Sequence, residues 1–155
     1  GGMSSRLFQK LREEMGVGYY IRAYNDAYAD HGFLQISAGV DNKRVNEVIK
    51  AILNECNILK REKISEEELE KVKEYLIGNM KLSLESSDDI ANFHGGQELL
   101  KREIRSAEQK AKEIRKITAS QIQNLAKDIF KNNKLNLALI GPFKKKAKFS
   151  KIMRF

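Results

Sequence analysis

The sequence predicts an α+β fold, an antiparallel sheet packed against several helices. Three observations predict it. Residues 19–28 and 33–40 each alternate with period two and flank a turn signal, Asp30-His31-Gly32. Between residues 45 and 130, apolar residues recur at three- and four-residue spacing in successive stretches. A last short apolar run, residues 135–140, ends at Gly141-Pro142. Strands are few and do not alternate singly with helices, which argues against a doubly wound parallel sheet.

The elements follow in order. Leu7, Phe8, Leu11 and Met15 mark a first helix, with Ser4 or Ser5 as its cap and Gly16 as its stop. In the hairpin that follows, Tyr20, Arg22, Tyr24 and Asp26 share one face of the first strand. Leu34, Ile36, Ala38 and Val40 share one face of the second. Val45, Val48, Ile49, Ile52, Leu53, Cys56 and Leu59 form one continuous helical stripe. Ser65-Glu66-Glu67-Glu68 has the form of a capping box, opening a helix with Leu69, Val72, Leu76, Met80 and Leu84 on its apolar face. A further helix starts near Ser87-Asp88-Asp89 and runs to Leu100. Capping boxes at Ser106 to Gln109 and Thr118 to Gln121 open two more, the second with Ile122, Leu125, Ile129 and Phe130 on one face. Residues 135–140 read as a closing strand. The body is expected at residues 1–142, with residues 143–155 as a basic C-terminal tail.

With 155 residues, 41% hydrophobic and 32% charged, the chain is long and apolar enough for a domain with a real core, and is not a disordered one. No apolar run reaches the roughly 20 residues of a membrane helix. Cys56 is the single cysteine, so neither an internal disulfide nor a thiolate zinc cluster can form. This suits a reducing compartment such as the cytoplasm. The net charge of +8 raises nucleic-acid binding, yet Lys144, Lys145, Lys146, Lys148, Lys151 and Arg154 supply six of those charges and leave +2 on the body. A solvated extension is the expected state of the tail. Single-strand binding through Phe149, Phe155 and these cations is the competing one.

The chemistry of the chain is sparse. A catalytic zinc needs two imidazoles and a carboxylate, and only His31 and His94 are present. In His94-Gly95-Gly96-Gln97-Glu98, glutamine stands where His-x-x-Glu-His requires its glutamate, and glutamate where it requires the second histidine. The runs Glu66-Glu67-Glu68 and Asp88-Asp89 complement helix N-terminal dipoles.

One segment carries more. Gly1-Gly2, then Ser5-Arg6-Leu7-Phe8, Leu11-Arg12-Glu13 and Gly16-Val17-Gly18-Tyr19 resemble the signature of the C-terminal domain of the pitrilysin/mitochondrial-processing-peptidase family, with Val17 in place of its usual leucine. Residues 32–39, the helix start at Ile64-Ser65, the segment at Ile117-Thr118 and residues 137–142 resemble that family's later elements in order.

The resemblance implies several things. Catalysis in this family belongs to a zinc site on an N-terminal domain, and the C-terminal domain closes a chamber around a peptide substrate. Arg12 and Tyr19 match an arginine and a tyrosine that the C-terminal domain contributes to the cleft. A guanidinium suits peptide carbonyls or a carboxylate, and a phenol suits a backbone group or an oxyanion. The expected cofactor is therefore zinc, held by the N-terminal domain and not by this chain. The expected partners are a peptide and that domain or a partner subunit. The chain starts inside the motif, so the family's preceding strand and helix are expected to be missing. The thin sheet would then keep an edge able to pair with a second copy. An inactive structural subunit of the same family is the alternative.

Overall fold

The computed structural model describes residues 5–18, 20–101, 103–144 and 147–155. Of the residues singled out in the sequence, Gly1, Gly2, Ser4, Tyr19, Lys145 and Lys146 lie outside the described ones. The chain forms two compact units: Gly1–Asp26 with Gly32–Glu62 and Gln123–Phe155, and Ala27–His31 with Lys63–Ile122.

In the first unit, α1 (Arg6–Phe8) runs directly into a π-helical segment (Gln9–Glu14). Ser5 stands at the N-cap but makes no side-chain capping bond. The hairpin follows as β1 (Tyr20–Ala27) and β2 (Gly32–Gly39). Tyr28 N–H donates to His31 O at 2.8 Å, and this pairing carried along the ladder sets Tyr20 opposite Gly39. The Tyr20 ring does cover Gly39: a Cβ there would lie 2.6 Å from its Cε1. Ile21 and Ala38 then share the opposite face, the one that packs on α2 (Val45–Arg61).

Helix α2 organises this unit. Val45, Ile49 and Leu53 form one buried row, and Val48 lies on an adjacent one. Cys56 is buried on the same helix, and its thiol is pushed up to about 11 by desolvation. Helix α6 (Ala119–Ile129) opens with Thr118 and Gln121 bonded to each other's backbone N–H, as a capping box should be. Gln123 Nε2 donates to the carbonyls of Lys60 and Arg61 at 3.3 and 2.9 Å, accepting part of the load at the open end of α2.

Two expectations are corrected here. Residues 135–140 do not form a strand: after a 3-10 turn (Asn132–Lys134) they run without ladder hydrogen bonds, and among the described residues the sheet has two strands, β1 and β2. A short apolar run makes no strand without a neighbour to pair with, and Leu137, Leu139 and Ile140 are exposed. The solvated tail is the second. Phe149, on the short helix α7 (Ala147–Ser150), is buried against Val45, Ile49 and Leu53, with Phe143, Ile152, Met153 and Phe155 packed around it. The Phe143 and Phe149 rings meet edge-on at 5.2 Å, and Lys60 Nζ lies 5.0 Å from the Phe155 ring centre. The tail's aromatics are thus used as core, while Lys144, Lys148, Lys151 and Arg154 stay exposed.

The second unit is helical: α3 (Glu66–Leu82), α4 (Ser87–Lys101) and α5 (Ala107–Lys116). Ser65 Oγ accepts the Glu68 N–H, and Ser106 with Gln109 makes the full reciprocal box. Ser86, not Ser87, receives the first-turn N–H of α4, from Asp89 at 3.1 Å. On α3 the buried face is Leu69, Lys73 and Ile77, whereas Val72 and Leu76 are exposed, a rotation of the stripe read from sequence. Lys73 enters this face because its ammonium reaches Glu70 at 2.6 Å, leaving its stem to pack. Helices α3 and α5 pack together, with Ala111 buried and Arg115 paired to Glu74 at 3.0 Å.

Candidate functional site

Arg12 sits on the π-helical segment, whose register is marked by Met15 N–H donating to Lys10 O at 3.2 Å, five residues back. The neighbouring Leu11 is fully buried and packs with Val17 and Val48. The next residue, Arg12, is exposed, its guanidinium 5.4 Å from the Phe8 ring centre.

The segment then reverses sharply. Gly16 has φ +60° and Gly18 φ +100°, both in the region only glycine enters without strain. Between them Val17 N–H donates back to Leu11 O at 2.8 Å, a Schellman-like closure with Val17 itself buried. Tyr19 follows in sequence but lies outside the described residues.

One participant escapes a sequence reading. Arg44 Nη1 donates to Met15 O at 3.0 Å, across 29 residues, while its Nε and Nη2 form a two-pronged pair with Glu47, each at 2.8 Å. The hydrogen bond to Glu47 raises the Arg44 pKa, and the same bond lowers that of Glu47. The Arg-Glu spacing of three is a legible helix-start pair, but nothing in the sequence links it to Met15. Lys10 pairs with Glu14 at 2.6 Å along the same segment. Together with Arg6, Gln9 and Glu55 they line a shallow polar cleft of about 210 Å³, of which Arg12 is not a wall.

The histidines are used elsewhere. His31 Nδ1 is 2.6 Å from Asp30 Oδ1 and its ring stacks on Tyr28 at 4.7 Å. His94 meets Phe93 edge-on at 5.2 Å. Gln97, at the position where a metal-peptidase motif would carry its glutamate, is a structural latch: it donates to the carbonyls of Phe93 and Arg105 and accepts the Arg105 N–H. Among the described residues no three His, Cys, Asp or Glu side chains converge as a metal site. A buried thiol with a raised pKa is moreover a poor ligand. The donor set of the described residues does not fit zinc.

Residues 1–76 match the model of the Peptidase M16 inactive domain. The chain belongs to this M16 peptidase family, and its match is to the C-terminal, inactive domain. An uncharacterized zinc protease of Bacillus subtilis is 34% identical over 142 residues, 92% of this chain and 34% of that protein. One of Streptomyces coelicolor is 31% identical over 146 residues, 94% of this chain and 32% of that protein. The chain thus spans about a third of the length of the curated relatives it matches. In fold it is similar to a chain of complex III from Candida albicans, with a TM-score of 0.70 at 21% identity over 81% of this chain and 30% of that one. It is similar also to a protease from Helicobacter pylori, with a TM-score of 0.67 at 23% identity over 83% of this chain and 31% of that one. The α+β half-domain read from the sequence agrees with these neighbours. Among the described residues no helix is long and apolar enough to cross a membrane.

Proposed function

We propose that this chain is the substrate-binding, chamber-closing C-terminal domain of a zinc-dependent endopeptidase, with the catalytic zinc on an N-terminal domain or partner subunit. The M16 inactive-domain match and the relatives named zinc proteases support the chemistry and the division of labour. The observation that carries the site is Arg12. It is exposed on a π-helical turn whose inner residue, Leu11, is fully buried, and such turns concentrate where side chains must be aimed. Arg12 would grip a carbonyl or carboxylate of the peptide through its donor fork, and Tyr19 would donate to the backbone or to charge developing at the scissile carbonyl. Zinc, when bound by the other domain, would supply the activated water. The basic tail of residues 143–155 is part of the same domain in this reading and contributes packing.

The test is peptide hydrolysis by the full-length protein that contains this chain. Arg12→Ala is expected to raise KM about tenfold, the loss of one charge-assisted contact. Tyr19→Phe is expected to lower kcat by about tenfold to a hundredfold. The likeness to the complex III chain favours a second reading, a subunit of the same family that holds an assembly together without hydrolysing peptides. A zinc-loaded full-length protein that cleaves no peptide in a diverse library would decide for it.

A further inference from the structure

The carbonyl of Met15 closes the π-helical segment, and the last carbonyls of any helix lack partners within it. Here that carbonyl is taken by Arg44, which stands at the N-cap of α2. Glu47 holds two of the other guanidinium nitrogens, each at 2.8 Å. A cation at this end also opposes the negative pole of the segment's peptide dipoles. The segment is therefore pinned twice to one helix: through Leu11 and Val17 against Val48, and through Met15 O on Arg44. Arg12 lies between the two pins.

From this geometry we infer that Arg44 is a positioning residue for Arg12, the clasp that keeps the segment in its π register. The inference rests on the substrate-binding role of Arg12 proposed above. A π turn is the rarer hydrogen-bonding pattern, and an α register is its ready alternative. Releasing Met15 O lets residues 9–14 change register, which re-aims Arg12 relative to its buried neighbour Leu11. Arg44 touches no substrate in this scheme. It acts through Arg12 alone.

The test is a double-mutant cycle in the full-length protein, read as KM and kcat for a cleaved peptide. Arg44→Gln is expected to raise KM about tenfold with kcat within about twofold. In an Arg12→Ala background the same change is expected to add less than about twofold. Arg44→Lys, which can still reach Met15 O with one donor, is expected to recover most of the lost affinity. A tenfold rise that persists in the Arg12→Ala background would overturn the inference, as would an unchanged KM in Arg44→Gln when Arg12→Ala is impaired. If Arg12→Ala leaves KM unaltered, it is the substrate-binding reading that fails. Amide exchange at Val17, whose N–H is bonded to Leu11 O, tests the clasp without substrate. Arg44→Gln is expected to speed it at least tenfold, and unchanged exchange overturns the inference whatever the kinetics show.

Discussion

Phe149 is where the sequence and the structure make opposite predictions about stability. If residues 143–155 were a solvated extension, Phe149→Ala would be silent, since exposed substitutions far from special features stay within about 0.5 kcal/mol. In the structure Phe149 is 8% exposed and closes a cluster with Val45, Ile49 and Leu53. A buried phenylalanine removes roughly 200 Å² from water, about 5 kcal/mol at 25 cal/mol/Å² as an upper bound. Phe→Ala changes in cores measure about 3–5 kcal/mol. Residues 147–150 are a single four-residue helix and can collapse partly into the space, which points to the lower figure, about 3 kcal/mol. Urea unfolding of the wild type and of Phe149→Ala is the assay, with the midpoint shift read at constant slope. Phe143→Ala, at the edge-on partner ring, is expected to lose less, about 1–2 kcal/mol, because that residue is only half-buried. A Phe149→Ala variant less than about 0.5 kcal/mol weaker than wild type would refute the packing and restore the solvated tail.

Two further outcomes are expected. Gln97→Ala removes three hydrogen bonds around Phe93 and Arg105 and leaves a part-buried N–H unpaired, so it is expected to lower stability by about 1–2 kcal/mol; a value near zero would show that Gln97 is no latch. The Cys56 thiol, pushed up to about 11 from an ordinary 9.0, stays protonated in the folded state while the unfolded chain ionises, so its contribution is whole below about pH 9 and is lost as pH rises through about 11. Native protein should accordingly resist a thiol reagent at pH 8 and lose about 2–3 kcal/mol of stability between pH 9 and 11, relative to Cys56→Ala.

What the sequence made legible was local. The capping boxes at Ser106 and Thr118 form as read, because both partners lie three residues apart and need no tertiary context. The α2 stripe was legible for the same reason, its period being a property of one helix. The failures are tertiary. On α3, the unbranched stem of Lys73 takes a place in the packed face because Glu70 can hold its head, so Val72 and Leu76 are displaced outward. Residues 135–140 read as a strand from their apolar run, but a ladder needs a second backbone. In the candidate site, the motif at residues 5–19 pointed to Arg12, whereas the π register and the Arg44 clasp depend on contacts 29 residues apart.

Helix α2 then explains why the site segment can be held firmly on so small a sheet. Its Val45, Ile49 and Leu53 row is covered by the tail, and its Val48 row by Leu11 and Val17. Rows at i, i+4 and at i+3 are neighbours on one helical surface, so a helix that shifts to fill one contact disturbs the other. Val40 touches both clusters and ties them at the exit of β2. The C-terminal tail, distant from Arg12 in sequence, thus packs on the same helix as the segment that carries Arg12. Loss of Phe149 should loosen α2 on its tail side first, and Val17 amide exchange in Phe149→Ala reports whether that slack reaches the site. Protection at Val17 that is insensitive to Phe149→Ala would mean the two rows of α2 are mechanically independent, and that the Arg44 clasp and Leu11 suffice to hold the segment alone.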